Sequence, residues 1–259
     1  MFKHKGPFFI ACLIWLCATS CAKDASTSDI KTIHIGAASS LVRVLPKIIE
    51  LFESTHDVDV VATYSSSGNL TQQLKNGAPY DIIITADPSF IDKLNGMGVL
   101  SEYKPSFRIS SPVMLWTSDQ NFTGFSELQK KKSWKIAIAN PDHAPFGKVA
   151  MEAFKNSGQL KQIQKQLVFA QNATQVLQYV RSGAVNAAVI PLSLADTSTG
   201  SLLRLSDTYC LAPTYGFGIS KKSPNAQKSK VFLNLFATKQ AAKILRTHGL
   251  IPESNVPTT

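Results

Sequence analysis

Two serine-rich turns contain the side chains of this sequence that are best suited to chemistry. The first turn, 37–41, reads Ala-Ala-Ser-Ser-Leu, and the second, 64–70, reads Tyr-Ser-Ser-Ser-Gly-Asn-Leu. Each follows an apolar β-type run and leads into a helix-type run, so its hydroxyls stand beside the unpaired N–H groups of a helix N-terminus. Such a cluster can bind an anion without any positive side chain.

Serine also caps helices routinely, so each turn taken alone has a simpler explanation. Two turns of the same design, one after each of the first two predicted strands, favour a shared site. We therefore expect the two turns to meet across a gap between two lobes and to bind a doubly negative ion with uncharged groups.

The elements that position these turns alternate between strand and helix patterns, which is typical of α/β structure with largely parallel sheets. The predicted strands are 32–38, 58–64, 81–86, 113–117, 134–139, 167–170 and 187–192. Apolar residues at helical spacing predict helices over 41–52, 69–75, 88–94, 148–156, 173–181, 226–236 and 239–248. In the first of these, Pro46 indicates either a kink or a helix that begins there.

Two extended stretches, around 107–115 and 209–220, interrupt the alternation and suggest that the chain passes between two lobes. We expect residues 31–110 and 216–259 to form the first lobe and 111–215 to form the second. Ligands of such proteins bind in the cleft, at the carboxyl ends of the strands.

The N-terminal segment 1–20 is predicted to be a secretory signal. It has a basic start, an apolar stretch too short to span a bilayer, and small residues before Cys21. A cysteine at this place resembles the lipobox of bacterial lipoproteins, which implies a lipid anchor on Cys21. A plain signal peptide or an uncleaved anchor is the alternative. The small, polar residues 21–30 are predicted to form a flexible tether.

Cysteine content and charge exclude several classes of protein. Of the four cysteines only Cys210 follows Cys21, so no intrachain disulfide is expected. The formal net charge is +10, but the basic residues are dispersed, and the run Lys130–Lys132 is interpreted as a solvated loop. No nucleic-acid-binding motif accompanies it, so no nucleic acid is expected as a partner. The charge attracts anions weakly at most.

Four segments in a fixed order carry a family resemblance. Residues 35–41, 64–70, 76–87 and 140–147 together resemble the periplasmic molybdate-binding proteins of ABC importers, a branch of the type II solute-binding proteins. The resemblance extends from about Thr32 to Pro252. It implies an α/β, two-lobed type II periplasmic-binding-protein fold. Each lobe would be a mixed, mostly parallel sheet flanked by helices, with the ligand cleft between the lobes.

The resemblance also implies a site for one tetrahedral oxyanion, most often molybdate, held by neutral donors alone. Ser40 and Ser67 would each supply a hydroxyl and a backbone N–H from the first lobe. Phe146 and Ala173 would each supply a backbone N–H from the second lobe. Selectivity among oxyanions would then depend on the size of the cavity.

One position departs from the family. Well-known members close the site with a tyrosine hydroxyl on a strand resembling 187–191, where this chain has Ile190. A buried hydrogen bond to a charged group contributes roughly 1.5–3 kcal/mol, so its loss would weaken binding about tenfold or more. Ser193 and Tyr215 are candidate substitutes for this donor.

The resemblance implies an extracytoplasmic receptor without catalytic residues, metal or cofactor. Its partners would be an ABC permease with its ATPase and, through Cys21, the membrane, and the receptor would be a monomer. Two alternatives stay open: a receptor for tungstate, sulfate or thiosulfate, and a sensing or structural lipoprotein of the same fold.

Other chemistries find little support in the residues. No Gly-x-Ser-x-Gly elbow is present, and no lysine follows the serines at the spacing used by serine–lysine enzymes. The histidines are scattered, which argues against a metal site, and His34 and His143 are interpreted as structural. For Asp81 and Asp87, structural hydrogen bonding is favoured over ligation, since a carboxylate would repel an anion.

Overall fold

The computed structural model describes residues 32–195, 200–205 and 207–254. The predicted signal peptide, the tether and Cys21 lie outside these residues. Within the described part of the chain, no helix has both the length and the apolar character needed to cross a bilayer.

The first lobe is built on a four-stranded sheet in the order β10-β3-β1-β2. Strands β1, β2 and β3 pair in parallel, and β10 pairs antiparallel to β3. All four residues of β3 are buried because helices cover both faces of the sheet, and its sequence is accordingly a continuous apolar run ending in Thr85. The strands are β1 (Ile33–Ala38), β2 (Val60–Ser65), β3 (Ile82–Thr85) and β10 (Gly216–Ile219).

The second lobe is built on a five-stranded sheet in the order β7-β6-β8-β5-β9. Two of its pairings are parallel and two are antiparallel, so it is more evenly mixed than the sequence predicted. The strands are β5 (Val113–Thr117), β6 (Ile136–Ala139), β7 (Leu167–Ala170), β8 (Ala187–Pro191) and β9 (Ser201–Arg204).

Helices flank both sheets. Helix α1 begins at Leu45 with Pro46 in its first turn, which confirms the second of the two possibilities for that proline. The helices are α1 (Leu45–Glu53), α2 (Ser67–Lys75), α3 (Ser89–Gly96), α4 (Pro145–Asn156), α5 (Leu160–Ile163), α6 (Ala173–Arg181), α7 (Ala226–Asn234) and α8 (Lys239–Thr247). Five short 3-10 turns accompany them in the described residues, at Ser39–Leu41, Phe125–Lys130, Gln164–Gln166, Leu192–Leu194 and Leu235–Ala237.

Two adjacent chain segments connect the lobes. Strand β4 (Phe107–Ser110) pairs with β11 (Ile251–Ser254) and leads into the second sheet, and the returning segment enters β10. The two crossovers run antiparallel, because Tyr215 N donates to the Ile109 carbonyl at 2.8 Å and Ser111 N to that of Pro213 at 2.9 Å. The exact lobe boundaries, at 110/111 and 215/216, stay a prediction. The two crossovers lie within the extended stretches predicted around 107–115 and 209–220.

Alternate residues of each strand enter different apolar clusters. In β8, Val189 joins the large cluster that includes α4, whereas Ile190 joins a smaller cluster against α6. In β3, Ile84 faces the large cluster, and Ile83 packs under α2 and α3. Each sheet is thus a buried middle layer, which holds the carboxyl ends of its parallel strands fixed.

Candidate functional site

The first serine turn is not a helix cap. It follows β1 as a short 3-10 turn, Ser39–Leu41, and neither this turn nor helix α1 has a side-chain cap. Ser40 is 1% exposed, and its Oγ lies 2.7 Å from the phenol oxygen of Tyr215. Capping therefore does not account for the two serines of this turn.

In the second turn the serines have different roles. Ser66 is the N-cap of α2, and its Oγ accepts from the Asn69 N–H at 3.4 Å. Ser67 is the first helical residue, and its Oγ accepts from the N–H of Ala86 at 2.9 Å, just after β3. Because that oxygen is an acceptor in this bond, the hydroxyl hydrogen of Ser67 is available to another group.

The second lobe contributes the N-termini of α4 and α6. Pro145 occupies the start of α4, where a missing N–H costs nothing. The N–H groups of Phe146 and Ala173 lie in first helical turns, where the helix offers no acceptor. Within the described ranges, neither of them donates to a turn or loop carbonyl. Asn172 caps α6 by accepting from Gln175 N at 3.0 Å.

These turns and helix starts enclose one small cavity between the lobes. No charged side chain lines it, and the N-terminal residues of α2, α4 and α6 all do, so the helix dipoles make the cavity electropositive. The lining residues are Ala38, Ser39, Ser40, Ser65, Ser66, Ser67, Ala86, Ala144, Pro145, Phe146, Asn172 and Ala173.

The lobes are closed over this cavity. Gly68 N donates to the carbonyl oxygen of His143 at 2.9 Å, and His143 Nδ1 lies 3.0 Å from Ser66 Oγ. On the other side, Ser193 Oγ donates to the carbonyl oxygen of Ser40 at 2.8 Å. The remaining cavity measures about 10 Å³, which is about the space that one water molecule needs. An anion can enter only when the lobes separate.

The four residues predicted from the sequence to bind the ligand all line this cavity. Ser40 and Ser67 both come from the first lobe, where their turns follow the adjacent parallel strands β1 and β2, so the two turns lie side by side and do not meet across the gap as expected. Phe146 and Ala173 come from the second lobe. Phe146 also belongs to the large core cluster, which is compatible with a role for its backbone N–H alone. Their placement agrees with a shared site, and their role in binding stays a prediction.

The tyrosine position of the family is not filled from β8. Ile190 is fully buried in the cluster packed against α6 and is not among the residues that line the cavity. Ser193 and Tyr215, the two candidate substitutes, do not line it either. Both contact Ser40 instead, one at its carbonyl oxygen and the other at its hydroxyl.

Sequence reasoning missed three parts of the site. The N–H of Ala86, the Gly68–His143 contact and the Asn172 cap were not identified as parts of it. The first two lie within segments 76–87, 64–70 and 140–147, so the signal was present, but single motifs do not reveal which residues meet. Such contacts follow only from the tertiary fold.

Larger cavities lie away from the two turns. One of about 810 Å³ is at the opposite end of the first sheet and is lined by His34, Tyr80 and Asp81, among others. There Asp81 accepts from the backbone N–H of His34 at 2.8 Å and from Ser223 Oγ at 2.5 Å, as expected for a structural carboxylate. Asp87 accepts from Ser89 N at 2.9 Å. Within the described residues, no cluster of histidine, cysteine and acidic side chains could hold a metal.

Comparisons with known proteins agree with this architecture. Residues 33–251 match the family described as bacterial extracellular solute-binding protein. Over an alignment of 263 positions the chain is 26% identical to YvgL of Bacillus subtilis, which is named as an ABC transporter substrate-binding lipoprotein, covering 98% of this chain and all of that one. It is 23% identical to the Escherichia coli molybdate-binding protein ModA, covering 86% and 90% of the two chains. The structure of the Azotobacter vinelandii periplasmic molybdate-binding protein superimposes with a TM-score of 0.76 at 22% identity, covering 85% and 98%.

Proposed function

This chain belongs to the family of bacterial extracellular solute-binding proteins, and on that premise we propose that it captures a tetrahedral oxyanion, with molybdate as the favoured ligand. It is the solute-binding component of an ABC importer, so a membrane permease and its ATPase are its partners. The observation that carries the proposal is a cavity that no charged side chain lines and that five serines, including Ser40 and Ser67, and three helix N-termini surround.

The donor set determines the class of ligand. Serine hydroxyls and backbone N–H groups stabilise negative charge, and no carboxylate side chain lines the described site to accept a hydrogen bond from a protonated ligand. A fully ionised tetrahedral dianion therefore suits it better than a protonated phosphate. Several helix N-termini supply the compensating potential without a counter-charge, so the ligand can still be released to the permease.

The proposed contacts divide between the lobes. Ser40 and Ser67 donate through their side chains and backbone, whereas Phe146 and Ala173 donate through backbone N–H groups alone. No cofactor, metal or catalytic residue is needed for this task. The proposal includes a lipid anchor on Cys21, which would tether a monomeric receptor to the membrane near its permease.

A panel of oxyanions tests the proposal. The full chain without its signal is titrated with molybdate, tungstate, sulfate, thiosulfate and phosphate, and thermal unfolding and calorimetry are recorded. A ligand at a hundred times its dissociation constant adds about 2.7 kcal/mol of stability. This corresponds to a shift of roughly 5–10 °C for a chain of this size.

Molybdate and tungstate should give the largest shifts, and phosphate the smallest. A dominant response to sulfate or thiosulfate would keep the oxyanion site and change the ligand. If none of the five anions shifts the melting temperature or gives a heat signal, the assignment of an oxyanion receptor is wrong.

A further inference from the structure

We propose that the phenol hydroxyl of Tyr215 is a positioning group that makes Ser40 a hydrogen-bond donor toward the bound anion. The inference rests on the proposed function, because it takes Ser40 as a ligand-binding residue. Tyr215 does not line the cavity. It stands behind Ser40, with its phenol oxygen 2.7 Å from Ser40 Oγ.

The direction of this hydrogen bond decides what Ser40 can offer. A serine hydroxyl has one hydrogen and two lone pairs. If Ser40 donated to Tyr215, only its lone pairs would face an anion, and the contact would be repulsive. Ser40 can donate to the anion only when Tyr215 donates to Ser40.

Ser67 has the same arrangement, and there the direction of the hydrogen bond is certain. Its Oγ accepts from the backbone N–H of Ala86 at 2.9 Å, and a backbone N–H can only donate. The hydrogen of Ser67 is thereby left for the cavity. Tyr215 does for Ser40 what the Ala86 N–H does for Ser67: it occupies a lone pair and leaves the hydrogen to the ligand.

Other contacts around Tyr215 support this direction. Burial raises the pKa of Tyr215 to about 12, and the hydroxyls of Ser40, Ser111 and Ser193 offset part of that rise. The phenol therefore keeps its hydrogen at neutral pH. In the described part of the chain, the phenol oxygen has one hydrogen bond, to Ser40 Oγ at 2.7 Å, and Ser193 Oγ directs its own hydrogen to the Ser40 carbonyl. Ser40 Oγ is thus the acceptor that the geometry leaves for the phenol hydrogen.

The backbone fixes Tyr215 in this place. It lies on the returning crossover between the lobes, where its N–H donates to the Ile109 carbonyl at 2.8 Å. The side chain is 4% exposed and packs in the large core cluster. The phenol oxygen is consequently held rigidly, so its hydrogen bond orients the Ser40 hydroxyl before the ligand arrives.

A double-mutant cycle with molybdate as the probe tests the inference. Tyr215→Phe keeps the ring and removes only the hydroxyl, and its dissociation constant for molybdate should rise about three- to tenfold. In a Ser40→Ala background the same change should have almost no further effect, because the group that it orients is gone. In a Ser67→Ala background its effect should persist in full.

A purely structural role of the phenol would give another pattern. If the loss in Tyr215→Phe came from loosened packing, it would appear equally in both serine backgrounds, and the inference would be overturned. It would also be overturned if Tyr215→Phe bound molybdate like the wild type. Ser229→Ala, which removes a buried hydroxyl in α7 that does not line the cavity, is the matched control and should bind normally.

Two failures can be told apart. If the wild-type protein does not bind molybdate, the proposed molybdate function fails and the inference fails with it. If the wild type binds and Tyr215→Phe is unaffected, only the positioning role of Tyr215 is wrong. Thermal unfolding of each unliganded variant confirms that it is folded before its affinity is compared.

Discussion

A serine hydroxyl has one hydrogen to donate, and in this molecule the neighbours of each serine decide where that hydrogen goes. Ser66 accepts from a helix N–H and acts as a cap, whereas Ser67 accepts from Ala86 and faces the cavity. Three consecutive residues of one type thus include a helix cap and a hydroxyl whose hydrogen is available to the cavity. Residue type alone could not separate them.

At the residue scale, Ser40→Ala and Ser67→Ala should each weaken binding of molybdate about tenfold to a hundredfold. Each removes a hydrogen bond to a charged ligand, which contributes roughly 1.5–3 kcal/mol. Ser67→Ala also leaves the buried N–H of Ala86 unpaired, so its free energy of unfolding should fall by about 1–3 kcal/mol. Calorimetry and urea unfolding measure the two effects separately.

Ser229→Ala is the matched control for these variants. Ser229 is fully buried in α7, and its hydroxyl has no partner among the described residues. Removing it should leave affinity unchanged and stability unchanged or slightly higher. If Ser40→Ala and Ser67→Ala both bound molybdate as tightly as the wild type, Ser40 and Ser67 would not be ligand-binding residues.

At the scale of elements, closure depends on a close approach between α2 and the loop before α4. A Cβ added to Gly68 would lie 2.7 Å from the Cβ of His143 and 2.9 Å from its carbonyl oxygen. Both distances are shorter than the van der Waals separation. The absence of a side chain at Gly68 is therefore a requirement of the closed arrangement.

Gly68→Ala should weaken molybdate binding because it opposes closure without touching the two donor serines. Each 1.4 kcal/mol by which the clash disfavours the closed state raises the dissociation constant about tenfold. The free energy of unfolding of the unliganded chain should change little, since the lobes can relieve the clash by separating and Ala suits a helix better than Gly. Calorimetry gives the affinity, and small-angle X-ray scattering with ligand reports whether the lobes still close.

Gly96→Ala provides the comparison for this variant. Gly96 also lies in a helix, α3, and a Cβ there would meet nothing within 4 Å. It should bind and close like the wild type. Equal affinity of the two glycine variants would show that the Gly68–His143 contact is dispensable for closure.

The sequence predicted the elements whose signal is local. Strands Val113–Thr117 and Leu167–Ala170 and helix Ala173–Arg181 have the predicted bounds, because buried apolar runs and helical spacing are visible in a short window. Helix α4 begins at Pro145 rather than 148, since proline is favoured in a first helical turn.

Elements that depend on distant pairing were not predicted as such. Strand β4 is stabilised by β11, which lies at the other end of the chain, and β10 pairs with β3. The same holds in the site, where Tyr215 and Ser40 are 175 residues apart. The serine turns were predictable as a pair, but the partners that orient their hydroxyls were not.

At the scale of the whole molecule, burial disfavours the ionisation of one thiol and several phenols at alkaline pH. Desolvation raises the pKa of Cys210 to about 11 from its usual 9.0, with Glu152 and Asp207 adding to the rise. Burial also raises the pKa of Tyr64 and Tyr103 to about 12. Between the unfolded and folded pKa values the native state binds more protons than the unfolded chain, so stability falls as the pH rises.

The free energy of unfolding should therefore decline from about pH 9, where the unfolded Cys210 thiol begins to ionise. Cys210→Ala should remove the contribution of the thiol, which falls between pH 9 and 11, and leave the contribution of the tyrosines, which falls between pH 10 and 12. Urea unfolding at pH 8, 9.5 and 10.5 measures this. An identical decline in the variant would show that Cys210 is not one of the groups responsible.

The asymmetry between the two walls of the cavity has a consequence for how such a receptor could change its ligand. The two predicted hydroxyl donors, Ser40 and Ser67, come from the half of the molecule that contains β1 and β2, and the predicted donors of the opposite half are backbone amide hydrogens at the starts of α4 and α6. A backbone amide hydrogen is the same for every residue except proline, which has none. The donors of that half therefore do not depend on the side chains at those positions. Discrimination between anions would then depend on the first lobe. A change of ligand would begin with substitutions of Ser40 and Ser67 and with a change in the distance between the two lobes.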